Sequence, residues 1–74
     1  MGVPKRLTEM QKRFAEYLVF GGPEGPVNKA EAAELAGYSK KRGRQEGAEL
    51  TNPRQAPLVV KYLDELKQER NLKI

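Results

Sequence analysis

Apolar residues along the chain recur at helical spacing in some stretches and vanish between them. Met10, Phe14, Tyr17 and Leu18 stand at i, i+4, i+7 and i+8, the signature of one helical face. Thr8 with Gln11 three residues on fits a capping box, and Leu7 is placed to act as a staple outside it. The spacing predicts helix 1 over about Thr8–Phe20. Three glycines and two prolines within residues 21–26 then forbid any continuing helix or strand. Asn28 with Glu31 gives a second capping signal, and the Ala-rich run Lys29–Ala36 predicts a short helix 2 with a small-residue face, ended by Gly37. Ser39 is a candidate cap for helix 3, roughly Lys40–Leu50, which has few apolar residues and carries Gly43 and Gly47 four apart. Thr51-Asn52-Pro53 stops it. Asn52 can cap a helix with Pro53 at its first position, but Pro57 favours a regular start near Ala56 and a helix 4 over about 56–70. Its apolar stripe is Leu58, Val59, Tyr62, Leu63 and Leu66. No stretch alternates as a strand does, and the β-branched pair Val59-Val60 falls inside the helix 4 stripe. The fold expected is all-α, about four helices over residues 7–74, behind a basic arm at 1–6.

Composition narrows the function. With 74 residues the chain has room for one small domain. It has no Cys and no His, which removes disulfides, thiolate metal sites, the Cys nucleophile and the commonest general base and zinc ligand. Neither an enzyme nor a cofactor or metal protein is expected. The carboxylate pairs Glu9/Glu16, Glu31/Glu34 and Asp64/Glu65 read as solvated helix faces. Mean hydropathy is −0.77 and no apolar run approaches the ~18–20 residues of a membrane span. The opening residues hold no apolar stretch suited to a signal peptide, so a soluble intracellular protein is expected.

Net charge is +4, and its placement is more telling than its size. Lys40, Lys41, Arg42 and Arg44 against Glu46 leave +3 within residues 37–46, on the helix least able to stabilise itself by packing. Ahead of that block, Ala33 lies four before Gly37 and Ser39 follows at once, the spacing of a helix-turn-helix whose crossing needs small residues and a glycine turn. In that motif the start of the second helix faces the major groove of double-stranded DNA. Lys40, Lys41, Arg42, Arg44 and Gln45 are then candidate contacts, lysines to phosphates and Arg or Gln also to base edges. Ser39 and the helix-start amides are candidates to hold a phosphate. Tyr38 has two readings: its hydroxyl donates to a phosphate, or its ring covers the corner between helices 2 and 3. Gly43 admits DNA or helix 1 at close range, or is a tolerated weak point, close helix packing being favoured. Lys5 and Arg6 are candidates for a minor groove, as basic arms are in homeodomains, beside the reading of an arm with no role. The loop at 21–26 lacks the Lys and Ser/Thr of a phosphate loop and reads as a connector or a contact surface for a neighbouring subunit.

Three blocks in order carry a family resemblance: Leu7-Thr8-Glu9-Met10-Gln11-Lys12-Arg13-Phe14-Ala15-Glu16-Tyr17-Leu18, then Ala32-Ala33 with Ala36-Gly37-Tyr38-Ser39-Lys40-Lys41, then Gly47 with Leu50-Thr51-Asn52-Pro53. Over about residues 7–53 the chain resembles the small subunit of a bacteriophage terminase. The resemblance implies a homeodomain-like helix-turn-helix that binds viral DNA, a ring-shaped homo-oligomer in the full-length form, and a large-subunit partner holding the ATPase and nuclease. It also implies work in the cytoplasm of the infected bacterial host, with no membrane partner. Carried over by position, Tyr38, Ser39, Lys40 and Lys41 belong to the turn and the start of the recognition helix. Two places depart from the family pattern: the 21–27 loop is longer and richer in Gly and Pro, and the usual Thr-Ala after the lysine pair is Arg42-Gly43. Two rival functions stand beside this one. One is a helix-turn-helix transcription regulator or recombinase-type domain; the other is a protein-interaction module working through helix 4.

Overall fold

In a computed structural model that describes residues 7–72, the chain forms α1 (Glu9–Phe20), α2 (Lys29–Ala36), α3 (Gly43–Leu50) and α4 (Pro57–Leu72). A single 3₁₀ turn, Lys40–Arg42, leads into α3. Among the described residues there is no strand, only an isolated bridge between Gly22 and Gly25, so the all-α bundle is observed. The expected basic arm, with Lys5 and Arg6, lies outside the described residues.

The capping box forms as its residues require. Thr8 Oγ1 accepts from the Gln11 amide at 3.1 Å, and Gln11 Oε1 accepts from the Thr8 amide at 2.9 Å. Leu7 does not staple α1 to itself, because the position it would meet is the exposed Lys12. It is half-buried and lines a depression with Leu58 and Tyr62 of α4 instead. The α1 face also differs from the expected one: Phe14, Ala15 and Val19 are buried, while Met10, Tyr17 and Leu18 are partly covered. The reason is that α1 packs against both α2 and α4, so its covered surface is wider than one stripe.

Helix α4 begins at Pro57, and the alternative start at Pro53 does not occur. A helix from Pro53 would need a Pro57 amide, which does not exist, and the ring would strike the Pro53 carbonyl. Asn52 therefore organises a separate turn: its Oδ1 accepts from Arg54 N–H at 2.9 Å and its carbonyl from Ala56 N–H at 2.8 Å. Val59, Leu63 and Leu66 are buried, and α4 packs on α1. Two polar contacts fix that pairing. Tyr62 Oη donates to Glu16 Oε2 at 3.2 Å, and Arg70 Nη1 donates to the Val19 carbonyl at 2.8 Å. Val19 lies in the last turn of α1, where carbonyls have no helical donor, so Arg70 caps one helix from another. Arg70→Ala is expected to lower stability by about 1 kcal/mol, read as a drop in thermal midpoint. An unchanged midpoint would remove this cap from the account.

Helix α3 is held in an unusual way for a small domain. Its covered side is Gly43, Gly47 and Leu50, and it lies on α2, not on α1 as one reading of Gly43 had it. A Cβ on Gly47 would stand 2.9 Å from Lys29 Cβ and 3.0 Å from the Lys29 carbonyl carbon and oxygen. A Cβ on Gly43 would stand 3.2 Å from the Ala30 carbonyl oxygen. Opposite these glycines α2 offers Lys29 and Ala30, with Glu34 beside Gly43, while its Ala32, Ala33 and Ala36 are buried in the core. Small residues on both helices bring the two backbones together, which is the physical use of an otherwise weak helix composition.

Candidate nucleic-acid interface

Three residues, Gly37-Tyr38-Ser39, join α2 to the 3₁₀ turn Lys40–Arg42 that leads into α3. Gly37 sits at φ 112°, ψ 3°, the left-handed conformation that a side chain disfavours. Its amide donates to the Glu34 carbonyl at 3.1 Å and that of Tyr38 to the Ala33 carbonyl at 3.0 Å, a Schellman ending that reverses the chain sharply. The turn thus delivers Lys40 and Lys41 to the start of the next helix.

That start differs from the simple capped helix expected. The Arg42 amide is taken by the Ser39 carbonyl at 3.0 Å, closing a 3₁₀ turn, so the Ser39 hydroxyl makes no capping hydrogen bond. The side chain of Ser39 is exposed. A 3₁₀ turn has about three residues per turn, so Lys40, Lys41 and Arg42 fan out around the axis and do not share one face. All three are exposed.

Arg42 is the cation that departs from the rest. Its Nη2 lies 3.2 Å from Glu46 Oε1, the only ion pair among the described residues. Arg42 is 61% exposed and Glu46 only 18%. One turn on, Gln45 Nε2 donates to Glu49 Oε1 at 3.3 Å. The charge of this segment therefore divides. Lys40, Lys41 and Arg44 make no ion pair with described residues, while Arg42 and Gln45 lean on the acids of the same helix.

Arg44 turns toward α2, where it lines a depression with Leu18, Asn28, Lys29 and Ala30. Lys29 is the basic residue that sequence reading missed. In the chain it stands eleven positions before Lys40, inside an acidic stretch. The Gly47 contact brings its backbone against α3, and its exposed side chain joins Arg44 on the same surface. The missed signal was the pairing of Gly47, inside α3, with the opening residue of the preceding helix.

Tyr38 takes the corner-covering position. It is half-buried against the core and lines a cleft with Thr8, Gln11, Glu46 and Leu50. Burial raises the pKa of its phenol above the ordinary value, the Glu46 carboxylate raises it further, and the nearby Thr8 hydroxyl offsets part of this. Near neutral pH Tyr38 is therefore an uncharged donor. On another side of α2, the 22–27 loop folds over Leu35 and makes a groove with Glu24, Glu31 and Glu34 on its walls. That groove has the opposite sign to the Lys40, Lys41, Arg44 and Lys29 surface, so a polyanion is attracted to one and repelled by the other.

A family model described as the terminase small subunit matches residues 7–74. The chain belongs to the terminase small subunit family. The role of that family is in phage DNA packaging. No curated protein and no solved structure matches the chain. For a terminase small subunit, the departure from the usual Thr-Ala after the lysine pair has a structural counterpart here. Gly43 stands against the Ala30 carbonyl, 3.2 Å from where a Cβ would be, so a smaller residue permits a closer seat for the helix. Arg42, in the place of the threonine, is the partner of Glu46. No helix among the described residues is long and apolar enough to cross a membrane.

Proposed function

We propose that this terminase small subunit binds double-stranded viral DNA through α2, the 37–39 turn and α3, used as a helix-turn-helix. It catalyses nothing itself and presents the DNA to the large-subunit motor and nuclease, as a ring-shaped homo-oligomer in the cytoplasm of the infected host. The observation that carries this reading is the construction of α3. Its inner side is glycine pressed on α2, and Arg44 with Lys40 and Lys41 of the 3₁₀ turn leading into it are exposed and without ion pairs among the described residues. A helix so poor in apolar contacts gains little from burial, and its exposed surface is suited to a polyanion.

In this arrangement Lys40 and Lys41 meet phosphates. Arg44 and Lys29 take one further phosphate each, beside the amide end of α2. The Ser39 hydroxyl, not engaged in capping, and the neutral Tyr38 hydroxyl are further donors. Gln45 and Arg42 are the side chains able to read base edges once released from their acids. The rival reading through helix 4 has less to work with, since Val59, Leu63 and Leu66 are covered by α1.

Native mass spectrometry with and without a duplex tests both parts at once. Expected are oligomers that retain duplex DNA at low salt and lose it as salt rises. A chain that shows no bound duplex at any salt would refute the DNA-binding role, and dimers on a palindromic duplex would favour a regulator over a packaging ring.

A further inference from the structure

The acids of α3 sit oddly on a helix whose exposed end is basic. Glu46 is mostly covered, stands one turn from Arg42 and holds it at 3.2 Å. Glu49 holds Gln45 in the same way one turn later. The side chains left without such a partner, Lys40, Lys41 and Arg44, include both lysines, which bind phosphate as point charges and read no sequence.

We propose that Glu46 is a specificity-determining residue that acts through Arg42: it withholds the Arg42 guanidinium from phosphates, so that indiscriminate DNA binding rests on the other cations and Arg42 joins only where a better partner is offered. The proposal rests on the DNA-binding reading above. An arginine in contact with a carboxylate has its charge largely balanced, and a phosphate approaching it also meets Glu46 at close range. A single phosphate oxygen offers Arg42 little that Glu46 does not already supply. A guanine edge offers two aligned acceptors, O6 and N7, matching the guanidinium fork. The exchange is therefore favoured at a base and not at the backbone. Glu46 is suited to this because it is the covered end of the pair, held in place at 18% exposed, while Arg42 at 61% stays open to a nucleic acid.

The test is a set of variants titrated against duplex DNA of mixed sequence: wild type, Glu46→Gln, Arg42→Ala and the double variant. Glu65→Gln serves as a control of equal charge on α4, which packs on α1. Glu46→Gln frees one cation for one more phosphate. Its salt slope should steepen by about 0.9, equivalent to roughly 8-fold tighter binding at 0.1 M salt referred to 1 M. Glu65→Gln should shift affinity far less. Arg42→Ala alone should leave the salt slope close to wild type, because a withheld cation contacts no phosphate, while the Glu46 carboxylate it leaves unbalanced weakens affinity. In the Arg42→Ala background Glu46→Gln should relieve that repulsion without steepening the salt slope, since no cation is freed. Circular dichroism of each variant should match wild type, which separates the effect from misfolding. An equal change of salt slope from Glu46→Gln with and without Arg42 would overturn the proposal, leaving Glu46 a plain repulsive charge. Equal gains from Glu46→Gln and Glu65→Gln would overturn it too. If neither wild type nor Glu46→Gln binds duplex at any salt, the DNA-binding role itself fails; binding by wild type with no response to Glu46→Gln defeats only the proposal made here.

Discussion

Alanine at Lys40, Lys41 and Arg44 together is expected to lower duplex affinity roughly 500-fold at 0.1 M salt, while the helical circular dichroism stays as in wild type. With Lys29 as a fourth contact, four neutralised phosphates give a slope of log K against log salt near −3.6, and wild-type binding should weaken roughly 150-fold between 50 and 200 mM salt. Removing three of the four leaves a slope near −0.9. The difference of about 2.7 in slope is the source of the 500-fold figure, so slope and affinity must move together. These side chains are exposed and make no ion pair among the described residues, so their loss removes no packing. Fluorescence anisotropy over a salt series measures both quantities. A triple variant with wild-type slope would show that the cations of α3 are not the contact surface. Lys29→Ala alone should reduce the slope by about 0.9, and it is the sharper check, since only the structure places this residue with Arg44.

Gly47→Ala is expected to destabilise the domain by about 1–3 kcal/mol, although helix propensity alone predicts a gain of about 1 kcal/mol. The new methyl would stand 3.0 Å from the carbonyl carbon and oxygen of Lys29. Those are backbone atoms at the start of α2, fixed by the Asn28 cap, whose Oδ1 accepts from the Glu31 amide at 2.8 Å. They cannot swing aside as a side-chain end can, so α3 must move outward. For a domain of this size each kcal/mol lowers the thermal midpoint by about 4–8 °C. Gly43→Ala should be milder, its nearest atom standing at 3.2 Å. The displacement also moves Arg44 away from Lys29, so Gly47→Ala should weaken DNA binding beyond what unfolding explains. A higher midpoint for Gly47→Ala would mean that α3 does not sit on α2 as closely as described.

What the two predictions share is a dependence on one helix crossing. The crossing decides whether Lys29 belongs to the basic surface, whether Gly47 tolerates a methyl, and how far Arg44 reaches. None of these follows from α3 read alone. Lys29 stands in the acidic stretch before Gly37, and the close packing expected of Gly43 names no partner on α2. The contact between α2 and α3 supplies that partner and turns Lys29 toward the basic side.

Signals that depend on neighbours within a few residues were legible in the chain. The Thr8–Gln11 box, the Asn28 cap, the Gly37 ending and the choice of Pro57 over Pro53 each depend on backbone geometry that a short stretch imposes on itself. So did the all-α class, because the apolar positions repeat at one helical period and never alternate. The basic cluster was visible for the same reason, being contiguous. Tertiary structure decided the rest: α1 buries Ala15 and Val19 because two helices flank it, Arg70 caps α1 from 51 residues away, and Leu7 meets α4 rather than its own helix. It also decided that Tyr38 lies in the cleft beside Glu46 and that Lys29 lies beside Arg44. Local signals act through bonds that the chain makes with itself over one turn. These contacts act through the space between helices, and at the α2–α3 crossing that space is set by its smallest residues, Gly43 and Gly47, rather than by Lys29 and Arg44 themselves.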